Sequence, residues 1–116
     1  MKFLTINLVF VSLVTSQLAD SLFQLGNYYY QNEQYEMSVN SFEQLEKDYT
    51  HEYLYLNLGN SFYRMGELGN AVWAYEKAYS IAPRDQDIVY NLNFVRSQVR
   101  DRIIPPDNFF IFSLYK

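Results

Sequence analysis

Residues 55–83 read Tyr55-Leu56-Asn57-Leu58-Gly59-Asn60-Ser61-Phe62-Tyr63-Arg64-Met65-Gly66-Glu67-Leu68-Gly69-Asn70-Ala71-Val72-Trp73-Ala74-Tyr75-Glu76-Lys77-Ala78-Tyr79-Ser80-Ile81-Ala82-Pro83. Apolar residues recur three and four apart on both sides of Gly66-Glu67, which predicts two amphipathic helices joined by a short turn. The run Leu58–Tyr63 echoes Leu25-Gly26-Asn27-Tyr28-Tyr29-Tyr30 at an offset of 33 residues. Ser38 and Ala71, Phe42 and Tyr75, and Leu45 and Ala78 share that offset. A fixed offset held through a whole helical hairpin marks a repeat protein. The pattern resumes over Asp87–Arg102, where Leu92 stands 34 after Leu58, with a first helix and no second.

The periodicity predicts five helices, over about 20–31, 35–47, 52–65, 68–81 and 86–102. Their apolar faces carry Leu22, Leu25 and Tyr29; Tyr35, Val39, Phe42 and Leu45; Tyr55, Leu58 and Phe62; Val72, Tyr75, Ala78 and Tyr79; and Ile88, Leu92, Val95 and Val99. Trp73, one residue past Val72, is expected in the core, Tyr28 on the outer or end face. Pro83 stops the fourth helix and Asp85 suits the N-cap of the fifth. Gly26 and Gly59 cost about 1 kcal/mol each in a helix interior, so they need a packing reason. Close approach of paired helices at Gly26 and Ser38, and again at Gly59 and Ala71, supplies one. The fold class is therefore all-α, two antiparallel helix pairs followed by a C-terminal capping helix.

The spacing Tyr55, Leu58, Gly59, Phe62, Ala71, Tyr75, Ala78, Pro83 resembles the tetratricopeptide repeat signature at every marked position. Leu22, Leu25, Gly26, Tyr29, Ser38 and Phe42 match it in the first repeat, where Leu45 replaces a small residue and Thr50 the proline. The resemblance implies a right-handed solenoid with repeats at 19–51 and 52–85, a capping helix at 86–102, and a concave face lined by the first helices. The best-known groove of that family clamps a C-terminal carboxylate with lysines and an arginine beside asparagines. Asn27 and Asn57 fit, but Phe23 and Asp87 stand at the lysine positions and Asn91 at the arginine position. Asp87 would repel a carboxylate, so a neutral or basic, partly apolar segment is expected instead. Residues 55–103 are also similar to the exported BatE-type proteins of aerotolerance operons, in which a signal sequence and repeats precede membrane-spanning helices.

The chain has 116 residues, no cysteine and a single histidine, His51. Disulfides, thiolate metal sites and thiol nucleophiles are excluded. Its formal charge is −4, and residues 17–90 alone carry 11 acids against 4 bases. An acidic body argues against nucleic-acid binding, which rests on Lys and Arg. Lys2, the apolar run Phe3–Val14 and the sequence Val14-Thr15-Ser16 predict a signal peptide over residues 1–16, cut before Gln17. An exported protein is expected, periplasmic or otherwise extracytoplasmic. Residues 103–116 hold Pro105-Pro106 and the apolar run Phe109–Tyr115, too short to cross a bilayer. This tail either begins a membrane segment of a longer protein or packs on the solenoid end.

No P-loop, GxGxxG, HExxH or GxSxG motif is present, and no metal or cofactor is expected. His51 reads as a solvated turn or cap residue, and Glu33/Glu36 and Glu43/Glu46 as solvated helix faces. A partner-binding groove is better supported. Asn27, Tyr30 and Gln31, then Asn57, Asn60, Tyr63 and Arg64, then Asn91 and Phe94 miss the core faces of the first helices. Asparagine amides can hold an extended peptide backbone and tyrosines add flat contact area. Asn27 and Asn60 could equally bond between helices and fix repeat stacking, and Asn91 is expected to do so. The expected function is a non-enzymatic interaction scaffold for a protein or peptide. The alternative is self-assembly as a homodimer through Val95 and Val99 on the last helix.

Overall fold

The structure, a computed structural model, describes residues 2–103, with side chains over 8–102. Among these residues there are five α-helices and no strand: α1 Lys2–Gln31, α2 Tyr35–Glu46, α3 Glu52–Arg64, α4 Leu68–Ile81 and α5 Gln86–Ile103. Helices α2 to α5 match the periodicity to within a residue at each end. Helix α1 differs, running from Lys2 rather than from about residue 20. Nothing between Phe3 and Leu25 can stop a helix, since the segment holds no Gly or Pro. Residues 104–116, with the apolar run Phe109–Tyr115, lie outside the described residues.

Both hairpin turns close in the same way. Gln34 N–H donates to Tyr29 O at 2.8 Å and Glu33 N–H to Tyr30 O at 3.1 Å. One repeat on, Glu67 N–H donates to Phe62 O at 3.0 Å and Gly66 N–H to Tyr63 O at 2.9 Å. This pairing satisfies the last carbonyls of the preceding helix and puts one residue in the left-handed region. That residue is Gly66, φ 79°, in the second repeat and Glu33, φ 61°, in the first. The first turn therefore carries side-chain crowding that the glycine avoids. Between the repeats, His51 Nδ1 accepts from Tyr53 N–H at 3.1 Å and caps α3. Asp85 Oδ1 accepts from Asp87 and Ile88 N–H at 3.0 and 3.2 Å and caps α5. Each cap satisfies backbone donors that the first turn leaves orphaned.

Within each pair the helices meet over a glycine. A Cβ on Gly26 would lie 2.5, 2.6 and 2.8 Å from three adjacent ring carbons of Phe42. On Gly59 it would lie 2.5, 2.6 and 3.0 Å from three of Tyr75. Such similar distances to adjacent carbons place each glycine over the ring face. Beside the first contact, buried Ser38 donates its hydroxyl to Gly26 O at 2.8 Å and lies 3.0 Å from the Ser61 hydroxyl. Ser61 in turn donates to Asn57 O at 2.9 Å. The two hydroxyl hydrogens can fill two of these three contacts at a time, so Ser38 ties α2 to α1 through Gly26 O or to α3 through the Ser61 hydroxyl.

The core runs through Val39, Phe42, Leu45, Leu54, Tyr55, Leu58, Phe62, Ala71, Ala74, Tyr75, Ala78, Ile88, Leu92 and Val95. Three expected core residues are exposed, Leu25, Trp73 and Tyr79, and others such as Leu22 and Val72 are only half-buried. Leu25 is 41% exposed whereas its repeat partner Leu58 is fully buried, because no preceding helix pair covers the outer face of α1. Trp73 is 41% exposed, one residue off the buried stripe of α4, and meets Tyr55 edge-on at 6.1 Å. Tyr79 is 43% exposed at a hollow it shares with Pro83, Asn93 and Arg96. Val95 is 1% exposed, so it offers no surface for the dimer that its stripe suggested; Val99 packs partly against the same core. Helix α5 is the last helix among the described residues. At the 34-residue offset Asn93 replaces Gly59 and Arg96 replaces Phe62, and Arg96 pairs with Glu76 at 2.9 Å. A terminal repeat needs such a polar outer face.

Gly59→Ala is therefore expected to lower stability by about 1–3 kcal/mol through overpacking against Tyr75, despite alanine's better helix propensity. Gly69→Ala, whose Cβ would meet nothing within 4 Å, is the control and should not destabilise. Urea unfolding of the two variants checks this.

Candidate functional site

The first helices α1, α3 and α5 carry a repeated polar rung. Asn57 Nδ2 donates to Asn27 Oδ1 at 3.0 Å, and Asn91 Nδ2 donates to Asn60 Oδ1 at 3.1 Å. Asn60 stands 33 after Asn27 and Asn91 stands 34 after Asn57, so the same contact occurs twice. All four amides are half-buried. Asn60 Oδ1 also accepts the Tyr75 hydroxyl at 2.6 Å. These asparagines hold neighbouring first helices in register, and each amide keeps hydrogen-bonding capacity beyond its rung.

Aromatic rings flank the rungs. Tyr30, half-buried, meets Tyr35 edge-on at 5.4 Å, and the Arg64 guanidinium lies 4.9 Å from the centre of the Tyr35 ring. Tyr63 meets Phe94 at 5.9 Å, and its hydroxyl accepts from Gln98 Nε2 at 3.4 Å. Phe94 stacks on Tyr90 at 6.2 Å with the rings 6° apart. Gln31, Arg64, Phe94 and Tyr90 are exposed, Tyr90 the most at 69%. The structure thus joins Asn27 to Asn57, Asn60 to Asn91 and Tyr63 to Phe94, while Gln31 stands in solvent. Tyr90 is the residue that sequence reasoning missed. Its spacing of four from Phe94 on one helix was the available signal.

The chemistry for a carboxylate clamp is missing. Phe23 turns onto the Phe42 ring at 5.9 Å, and Asp87 is an exposed acid in the first turn of α5. Among the described residues no three His, Asp or Glu side chains gather as a metal site. Two hollows accompany the first-helix face. One, of about 540 Å³, opens between α2 and α4 with Glu36, Glu43, Glu46, Glu67 and Trp73 in its walls. The other, of about 280 Å³ and mainly apolar, is lined by Phe23 of α1, Tyr53 and Leu54 of α3, and Tyr49 of the inter-repeat turn. Phe23 and Tyr53 each stand four residues before an asparagine of the first rung, so this second hollow continues the first-helix face.

Two phenols are perturbed. Burial, with smaller contributions from Tyr30 and Tyr63, pushes the Tyr75 hydroxyl well above the ordinary tyrosine range. Burial first and the neighbouring Glu46 second raise Tyr55. Tyr75 therefore stays protonated as the donor to Asn60 at any physiological pH.

The family model described as "Tetratricopeptide repeat" matches residues 19–47 and 53–85, just over half of the chain. No curated protein sequence matches the chain. Among solved structures, the chain is similar to "First TPR of Spaghetti (RPAP3) bound to HSP90 peptide SRMEEVD". The identity is 15% and the TM-score 0.43, over 73% of this chain and 95% of that one.

Because the folded-state pKa of Tyr75 exceeds the unfolded value of 10.0, its contribution to stability is complete below that pH and declines as pH rises above it. Tyr75→Phe should cost about 1 kcal/mol at neutral pH through the lost bond to Asn60. The same variant should flatten the fall in melting temperature at alkaline pH. Thermal unfolding followed by circular dichroism across the two pH ranges checks both.

Proposed function

The chain belongs to the tetratricopeptide repeat family, and on that premise we propose that it is a non-enzymatic interaction module that holds an extended, partly apolar segment of a partner protein across its first helices. The observation that carries this reading is the uncovered aromatic set Tyr63, Phe94 and Tyr90 beside a polar floor of asparagine amides. Flat rings contribute contact area at little entropic cost, and the spare amide valences can pair with a peptide backbone. Tyr30, Gln31 and Arg64 extend the surface at its other end. The exposed Asp87 and the absence of clamp lysines favour a neutral or basic internal segment over a free C-terminus.

We further propose that the protein is exported and works in the cell envelope, with residues 1–16 as its signal and 17–102 as the working domain. The support is Lys2 followed by an apolar helix whose side chains from Leu8 to Leu18 are exposed. The window Leu8–Gln31 is long and apolar enough to cross a membrane by composition, which a signal sequence and an anchor share. Similarity to the BatE-type aerotolerance proteins over residues 55–103 makes a membrane-associated complex the natural setting.

Selection of binders from a random peptide library tests the groove. Selected peptides should carry apolar or aromatic residues and bind equally with an amidated C-terminus. Phe94→Asp should weaken them tenfold or more, about 1.4 kcal/mol. Dependence on a free terminal carboxylate, or binding indifferent to Phe94→Asp, would refute the reading.

A further inference from the structure

The outer face of α1 carries a second periodicity that the repeat packing does not use. Val11, Val14, Leu18, Ser21, Leu25 and Tyr28 alternate at spacings of three and four. This is the a/d pattern of a two-helix seam. Val11, Val14, Leu18, Leu25 and Tyr28 are 58, 48, 60, 41 and 60% exposed. The other side of the same helix, with Gly26 and Leu22, packs into the core. Gln17, Gln24 and Gln31 recur every seven residues along one flank of the seam, and all three are exposed. Between Leu8 and Gln31 the only charge is Asp20, although the whole chain carries −4.

We infer that this face is an isologous interface for α1 of a second copy, packed antiparallel with the two-fold axis near Gln24. Three observations select that occupant. First, Leu25 occupies the repeat position at which Leu58 is fully buried, so the solenoid leaves a core position open at this end. Second, α5 places Asn93 and the ion-paired Arg96 where α3 has Gly59 and Phe62, so it offers the α1 face no matching apolar stripe for head-to-tail stacking. Third, the seam is almost free of charge, so two copies of an acidic chain can meet along it without like-charge repulsion. An antiparallel two-fold turns the glutamine flank onto itself, where side-chain amides can pair donor to acceptor. With the axis near Gln24 the two copies of α1 overlap from Gln17 to Gln31, so the contact is made by Leu18, Ser21, Leu25 and Tyr28, leaves Val11 and Val14 outside it, and does not depend on residues 1–16. The inference is independent of the groove.

Disulfide trapping in the full chain tests it, because the native sequence has no cysteine. Mild oxidation of Gln24→Cys in detergent should give a covalent dimer in high yield. Tyr90→Cys, on an exposed residue of α5, should give at least tenfold less. Adding Leu25→Glu to Gln24→Cys should cut the dimer at least tenfold while the chain keeps its helical circular dichroism; any fall in melting temperature should be that of a dissociated monomer. A monomer, trapping no better than Tyr90→Cys, or a dimer that forms only with lipid and survives Leu25→Glu would each overturn the inference.

Discussion

Each helix pair is set by a backbone lying on an aromatic face. Gly26 rests on Phe42 and Gly59 on Tyr75, closely enough that one added methyl group would overlap the ring. That contact fixes how near the helices come and brings their small residues, Ser38 and Ala71, into the closed interior. The ring supplies large buried area, while the glycine surrenders about 1 kcal/mol of helix propensity to admit it. Stacking of one pair on the next then follows from the apolar faces of α2 and α3 and from the serine contacts between them.

The polar layer joins architecture to function. The Tyr75 ring covers Gly59 inside the second pair, while its hydroxyl reaches Asn60, and Asn60 reaches Asn91 on the capping helix. One side chain thus links pairing, stacking and the first-helix surface. Under the proposed function, tight internal bonding makes that surface a rigid platform, which would lower the entropy lost when a flexible segment settles on it. Specificity would then fall to the rings and charges at the edges, Tyr63, Phe94 and Tyr90 at one end and Tyr30 and Arg64 at the other.

The fold was legible because its determinants are local and repeated. The 33-residue offset, the glycine–aromatic pairing and the caps at His51 and Asp85 all lie in short stretches of sequence. The exposure of Leu25 and Tyr79 was not legible from their own stripes, since burial there depends on whether another pair follows outward in space. Trp73 misled for a related reason: it neighbours the buried stripe without belonging to it. Sequence placed the asparagines on the first helices but could not decide between peptide contact and inter-helix contact. Their mutual hydrogen bonds depend on distances between helices that only stacking defines. Tyr90 escaped notice because the repeat signature marks packing positions, and Tyr90 is 69% exposed, stacked on Phe94 of its own helix.

The pairing contact has a direct spectroscopic consequence. A proton held over an aromatic ring face is shielded by the ring current. Gly26 and Gly59 lie on such faces, whereas a Cβ on Gly66 or Gly69 would meet nothing within 4 Å. The α-proton shifts of the four glycines, assigned by NMR in solution, therefore test the account most directly. The account predicts upfield displacement at both Gly26 and Gly59, by similar amounts, with Gly66 and Gly69 at ordinary values. Four ordinary values, or displacement at one of the two alone, would contradict it.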